Sequence, residues 1–441
     1  MGKHGVPVKK QKIELFILTD LIENEPSARV DKKDISTVRD LAKKVYEISK
    51  QPKNIEKIKL IKDHNSLIKT RPVVLCFPEN GYEEIIPLKS LETKDPFLRA
   101  YEYYLRCLLY HGEELDDDYP LTIELKVPMV FEISGRGIEE HWTNSQNPNG
   151  AAKVEQVIKD EADIKKLKFP KLTVDKDATN RNLIYLTSIF GEILDVKLYK
   201  TIIPMYFDTM GMMGYLARAR GMDQVFIDMI ERPKWIHHAM DRICNGMLEL
   251  IKDAEKRDLL GLNNSDNYVG TGGLGYTHDL PQEDFDGKVR LKDLWGLRES
   301  QEMTGISPAM FDEFVLPYEI KYFENFGLNY YACCEDLSRK FKIIKKIPRL
   351  RRISVAPWTN MKIAAQELED KYVYVWKPNP AVLAMESFDE DLIRKIIMDG
   401  FEVGKNCIMD IIMKDTHTFR NKPERLKKWC KIAKELSYKY E

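Results

Sequence analysis

Short apolar runs bounded by chain-breaking residues alternate with long amphipathic stretches along most of this chain. The first run, 72–78, has proline at both ends, which is typical of a buried strand. A later stretch, 224–256, repeats apolar residues with helical spacing. Seven further apolar runs stand at 122–131, 196–205, 259–262, 328–334, 352–355, 372–376 and 407–413. The alternation predicts an α/β fold in which eight parallel strands form a (β/α)8 TIM barrel.

The amino-terminal part has a different pattern. Residues 1–70 are rich in Lys, Asp, Glu and Ile, and their apolar positions follow helical spacing. We therefore expect an N-terminal helical extension over 1–70 and the barrel over 71–441.

Composition limits the partners and the compartment. The 69 basic and 70 acidic residues nearly cancel, so overall charge gives no reason to expect nucleic acid or an anionic membrane as a partner. The seven cysteines have no regular spacing, which fits a reducing compartment better than a disulfide scaffold. The first residues lack the apolar segment of a signal peptide, and no apolar stretch approaches the roughly 20 residues needed to span a bilayer. We expect a cytoplasmic protein.

Two other segments are better explained without a ligand. The sequence 270–275 has G-x-G-x-x-G spacing, but no strand directly precedes it and no helix follows, so it predicts a flexible loop and not a nucleotide site. The segment 298–302 is expected to be helical, with Glu299 and Glu302 on a solvated face.

Candidate metal ligands follow two of the apolar runs. Cys333, Cys334 and Glu335 stand at the end of one run, and His417 follows the last. Because the carboxyl ends of barrel strands meet at one mouth, these residues predict a zinc site. Neighbouring strand residues point to opposite faces, so only one of the two thiols is expected to bind metal. Two buried structural cysteines are the alternative.

Aromatic and polar side chains near strand ends predict a small-molecule pocket. The candidate substrate-binding residues are Tyr206, Trp358, Trp376 and His278. Packing of these rings in loops is the alternative interpretation.

The downstream half resembles a known superfamily. The segments 306–308 and 314–318, the run that ends at Cys334, and the segments 353–355 and 377–380 resemble the uroporphyrinogen decarboxylase superfamily over about residues 120–435. The decarboxylases carry an arginine-rich entry segment after the first strand, whereas 77–81 here contains no arginine. The chain is therefore more similar to the corrinoid-dependent methyltransferase branch.

This resemblance implies a zinc enzyme that moves a methyl group from a small methylated substrate to the cobalt of a corrinoid carried by a partner protein. Within the branch, zinc is held by a His-x-Cys and a distal Cys; Tyr331 stands in place of the histidine, and His417 lies near the place of the distal cysteine. The aromatic strand ends favour O-demethylation of a methoxylated aromatic. Lys414 or Asp415, or the carboxylate of Glu335, would then manage the charge or proton of the departing oxygen.

Two other functions remain open. One is a cofactor-independent decarboxylase of a small carboxylic acid, in which the candidate catalytic residue Asp208 would act with Lys377. The other is a binding or scaffold subunit on an inactive barrel. Thiol, imidazole and carboxylate groups at the strand ends favour an enzyme.

Overall fold

The computed structural model describes residues 26–27, 29–134, 142–143, 153–200 and 211–440. Twelve strands lie in these ranges, and most of them are fully or largely buried. In chain order, β1 to β12 are Val73–Cys76, Glu124–Pro128, Phe131–Ile133, Trp142–Thr143, Lys153–Val154, Leu172–Val174, Asp195–Tyr199, Trp295–Arg298, Leu328–Tyr331, Leu350–Val355, Val373–Trp376 and Ile408–Met413.

Eight of these strands are parallel to their neighbours. Six form one sheet in the order β1-β12-β11-β10-β9-β8, and β2 pairs with β7 in a separate parallel pair. A closed barrel of these eight strands needs two more joins, β1 to β2 and β7 to β8, and neither is found among the described residues. The predicted α/β class with a parallel sheet is confirmed, whereas closure of the barrel is not observed.

The region between β7 and β8 explains one wrong strand prediction. Residues 259–262 do not form a strand, although Leu259 and Leu260 are buried. The side-chain amide of Asn263 bonds to the backbone N–H of Trp295 at 2.9 Å and to its carbonyl at 3.1 Å. These are the groups that a neighbouring strand would have used. The actual strand, β8, was not predicted because its four residues include a glycine and end in a charge.

Fifteen α-helices surround the sheet, within the described ranges. In chain order, α1 to α15 are Lys32–Ser49, Pro52–Asn65, Tyr82–Ile85, Pro96–Leu109, Lys176–Phe190, Met212–Arg220, Met222–Glu231, Pro233–Lys256, Pro308–Phe314, Leu316–Phe323, Phe341–Ile344, Met361–Leu368, Ala381–Ala384, Glu390–Val403 and Glu424–Ser437. None of the helices in the described part of the chain is long and apolar enough to cross a membrane.

Local sequence accounts for the helices that support the sheet. In α8, Pro233 occupies the first turn, where its missing N–H is not needed, and Ile236, Met240 and Ile243 face the core. In α1, the Asp31 side chain caps the helix by accepting the N–H of Lys33 at 2.9 Å. Such capped amphipathic helices bury one face against the strands.

The N-terminal helices join the same core as the sheet. The last turn of α2 contains His64, whose Nε2 lies 2.6 Å from Asp410 Oδ1 on β12. The same carboxylate pairs with Arg352 of β10, and all three side chains are almost completely buried. Burial would raise the pKa of Asp410, but Arg352 and His64 outweigh burial and lower it. These contacts hold the last turn of α2 against the face of the sheet on which the side chains of Arg352 and Asp410 lie.

Candidate active site at the carboxyl ends of the strands

The carboxyl ends of the strands in the main sheet are held in line by backbone hydrogen bonds that continue past the strands. Ala332 N–H donates to the carbonyl of Arg298 at 2.9 Å, and Lys377 N–H donates to the carbonyl of Val355 at 3.0 Å. The residues that directly follow β8, β9, β11 and β12 therefore gather at one edge of the sheet. In α/β proteins this edge is where ligands bind.

The two adjacent cysteines at this edge face different surroundings. Cys333 is fully buried and its Sγ donates to Glu335 Oε1 at 3.4 Å. Cys334 is partly exposed, and its Sγ accepts from Lys377 Nζ at 3.9 Å. Burial, with the nearby Glu335 and Glu299 carboxyls, raises the pKa of Cys333, which remains a neutral thiol. Cys333 therefore faces a cluster of carboxyl groups, the acidic half of the site, and Cys334 faces lysines, the basic half.

The acidic half consists of Glu299, Glu302, Glu319 and Glu335. Glu299 is only 6% exposed, so the predicted solvated face is wrong for this residue. Burial, then the charge of Glu302, raises the pKa of Glu299 to about 8. Burial raises the pKa of Glu319 to about 7, although Arg298 opposes that change. Both shifts favour the protonated form of these carboxyl groups near neutral pH.

Two cations partly balance these carboxyl groups. Lys340 Nζ lies 2.5 Å from Glu335 Oε2, and both side chains are buried. Arg298 Nε lies 4.0 Å from Glu319 Oε2. The Ser300 hydroxyl donates to the other oxygen of Glu319 at 3.2 Å. The raised pKa values of Glu299 and Glu319 are consistent with this crowding of buried carboxyl groups.

The basic half consists of Lys377 and Lys414. Lys414 Nζ lies 3.3 Å from Glu79 Oε1 and also contacts the neighbouring carboxylate of Asp415. Burial would lower the pKa of Lys414, but Glu79, Asp415 and Cys334 outweigh burial and raise it. Lys414 is therefore a stable ammonium group at the end of β12.

A glycine-rich hairpin, residues 267–275, packs on the face of the sheet that carries Arg352 and Ile412, and its tip reaches the basic half. It is closed by a bridge between Tyr268 and Leu274, and Val269 N–H donates to the Gly273 carbonyl at 3.1 Å. At its tip the Thr271 hydroxyl donates to the Ala332 carbonyl at 3.0 Å and accepts from Lys377. The segment with nucleotide-like glycine spacing is thus a buried hairpin between strands.

The four predicted metal ligands do not converge. Cys333 and Glu335 are neighbours, but Glu335 is already paired with Lys340, and Cys334 faces the basic half. His417 is exposed, and its Nδ1 lies 2.7 Å from the side-chain amide of Asn80. In the described ranges, no three His, Cys, Asp or Glu side chains form a group that could hold a metal ion. The residues as arranged do not fit a tetrahedral zinc site.

The predicted pocket aromatics lie in different places. Trp358 follows β10 at the carboxyl edge and is 67% exposed. Trp376 is buried, and its ring packs edge-on against Phe401 of α14, in the layer between sheet and helices. His278 lies 2.8 Å from Asp63 of α2, away from the carboxyl edge. Of these three side chains, only Trp358 stands at the rim of the site.

The remaining predicted residues are divided between the site and the undescribed part of the chain. Lys414 and Asp415 are in contact at the end of β12. Tyr206 and Asp208 lie in 201–210, outside the described residues.

Sequence reasoning missed Glu319, Lys340 and Thr271. Glu319 lies in α10 among Leu316, Tyr322 and other buried apolar residues, and a charge on an apolar helix face was the available signal. Lys340 and Thr271 are in loops, where no periodic pattern marks burial.

The comparisons with known proteins bear on the fold of this chain. No protein-family model and no curated protein sequence matches the chain. Among solved structures, a methyltransferase from Methanosarcina mazei is similar over 86% of this chain and 98% of that one, with a TM-score of 0.50 and 10% sequence identity. At this identity the likeness concerns the fold.

Proposed function

We propose that this chain is a methyltransferase of the uroporphyrinogen decarboxylase superfamily, with its active site at the carboxyl edge of the parallel sheet. The single observation that carries the proposal is the basic half of the site, where the buried ammonium groups of Lys377 and Lys414 flank the partly exposed thiol of Cys334. The similar fold of the M. mazei methyltransferase supports it.

We further propose that the eight parallel strands form a (β/α)8 barrel. Six of its joins are hydrogen-bonded, and at the gap between β1 and β2 the backbone N–H of Asp118 donates to the Val74 carbonyl at 2.8 Å. The side chain of Asn263 fills the corresponding place beside β8.

The substrate is a small methylated compound, and a methoxylated aromatic is the class we propose. A corrinoid carried by a partner protein would supply a cobalt nucleophile for the methyl carbon. When the methyl group leaves, the oxygen gains negative charge, and the ammonium group of Lys414 is placed to stabilise that charge. Because the raised pKa of Lys414 keeps its ammonium group protonated, Lys414 pairs with the oxygen as an ion, and the released product takes its proton from solvent.

No step of this reaction is assigned to zinc. The predicted ligands are engaged elsewhere, and stabilisation of the departing oxygen by lysine does not require a metal. Zinc in the purified protein remains a prediction that metal analysis can test, together with Cys334→Ala and His417→Ala.

The decisive experiment mixes the chain with a corrinoid protein in the cob(I)alamin state and a panel of methyl donors. Formation of methylcobalamin is followed by its absorbance. We expect activity with a methoxylated aromatic and a loss of at least about 100-fold in kcat for Lys414→Met, the range for a group that stabilises developing charge. The exposed Lys362→Met is the matched control. Absence of methylcobalamin with every donor would overturn the proposal.

A second function is favoured by one observation. Lys377 is buried without a carboxylate partner among the described residues, as a site for a carboxylic acid substrate would require. Release of carbon dioxide from a small aromatic acid, without any corrinoid protein, would identify the chain as a decarboxylase.

A further inference from the structure

Lys377 differs from the other buried lysines of the site in the nature of its partners. Its side chain is 2% exposed, and its Nζ contacts the Thr271 hydroxyl, the Cys333 carbonyl at 3.5 Å and the Cys334 thiol at 3.9 Å. All three are neutral groups. By contrast, Lys340 pairs with Glu335 and Lys414 pairs with Glu79.

An ammonium group in this setting is costly. A buried charge without a counter-charge has lost its hydration and receives no compensating attraction from an ion-pair partner. Within the described residues no carboxylate lies within ion-pair distance of Lys377, and the two carboxylates nearest to the basic half both contact Lys414. An anion that enters the site would supply the missing charge.

The Thr271 hydroxyl marks where such an anion would bind. Its proton is donated to the Ala332 carbonyl, so its oxygen accepts from Lys377, as an oxygen of a carboxylate would. Gly270 and Gly272 flank it with φ of +63° and +130°. Two residues without side chains, in conformations that other residues rarely adopt, let the hairpin tip lie against the strand ends.

We propose that Lys377 binds a carboxylate group of the substrate, which replaces the Thr271 hydroxyl at the ammonium group. Cys334, whose thiol contacts this ammonium group, is partly exposed. The substrate class is thereby narrowed to a methoxylated aromatic acid, and this part rests on the proposed methyl transfer. This ion pair would hold the acid in place while the ammonium group of Lys414 stabilises the negative charge on the departing oxygen.

Calorimetric titration of the full chain with 4-methoxybenzoate and with neutral methoxybenzene tests the site without any turnover. We expect the wild-type protein to bind the anion at least tenfold more tightly than the neutral compound. Lys377→Met should abolish this preference, Lys377→Arg should retain most of it, and the exposed Lys362→Met should leave it unchanged. Thr271→Val, which removes the competing oxygen but keeps the shape, should tighten anion binding several-fold.

Equal affinity for the two compounds, or a preference that survives in Lys377→Met, would overturn the proposal. Circular dichroism checks that Lys377→Met is folded; if it is not, the Thr271→Val and Lys377→Arg titrations decide the question. Rapid labelling of Cys334 by iodoacetamide at pH 7, with no preference for the anion, would assign the counter-charge to a thiolate and also overturn it. If the anion is preferred but no donor yields methylcobalamin, only the proposed methyl transfer fails.

Discussion

Glu299 shows how a single side chain at the site couples folding to protonation. In the folded protein it keeps its proton up to a pKa of about 8, whereas in the unfolded chain it ionises near its ordinary value of 4.5. Between these values the unfolded state binds fewer protons, so the free energy of unfolding falls as pH rises. Glu319, with a pKa of about 7, acts in the same direction over part of the range.

We therefore predict that Glu299→Gln flattens the loss of stability between about pH 5 and pH 8. The glutamine cannot ionise, so the protein no longer loses up to about 1.4 kcal/mol per pH unit from this residue. Urea unfolding at several pH values measures the slope. The exposed Glu283→Gln is the control and should keep the wild-type slope. Parallel slopes for Glu299→Gln and the wild type would show that Glu299 ionises normally in the folded state.

The next scale is the element, and the 267–275 hairpin is the element that most depends on glycine. Gly273 has φ of +119°, and a Cβ there would overlap the Arg352 guanidinium. Arg352 is buried and paired with Asp410, so it cannot move aside cheaply. Gly287 offers a matched comparison, because its φ is +101° and no atom lies within 4 Å of an added Cβ.

We expect Gly287→Ala to cost about 1–2 kcal/mol, which is the backbone strain alone. Gly273→Ala should cost at least about 2 kcal/mol more, because it adds overlap in a packed site to similar strain. Thermal and urea unfolding of the two variants give the difference. Equal losses would mean that the hairpin moves away from Arg352 at little cost.

Elements were predictable from the sequence where burial leaves a continuous apolar run. The runs that became β1 and β9 to β12 were placed within a few residues, because strands buried on both faces are apolar throughout. Prediction failed where a side chain replaces the backbone ladder, as at Asn263, and where a short strand ends in a charge, as at Arg298. In the acidic half, Glu335 was predicted as a site residue, but the burial of Glu299 and the contact of Glu335 with Lys340 were missed, because contacts between distant loops leave no periodic pattern.

At the scale of the whole molecule, the N-terminal helices and the sheet form one hydrophobic cluster. Val38 and Val45 of α1 and Ile61 of α2 belong to the same buried set as the strands. Asn65 extends the connection, because its side-chain amide donates to the carbonyls of Leu274 and Tyr276 after the glycine hairpin, at 2.8 and 2.7 Å. We therefore expect helices and sheet to unfold together.

His64→Ala tests this coupling. The change removes one of the two partners of the buried Asp410 carboxylate. We expect a loss of about 2 kcal/mol, below the range of about 3–5 kcal/mol for a buried charge left without a partner, because Arg352 still pairs with Asp410. The lowered pKa of Asp410 stabilises the fold above the ordinary carboxyl pKa, and this stabilisation is lost as pH falls through the folded value. His64 contributes to that lowering, so the variant should lose stability at a higher pH during acidification. His238→Ala, on the exposed face of α8, is the control.

Hydrogen exchange decides whether the effect of His64→Ala is global. If the helices and the sheet unfold together, the slowly exchanging amides in α1, α2 and the strands should all exchange faster by the same factor. Faster exchange in α1 and α2 alone would show that the helices unfold separately from the sheet.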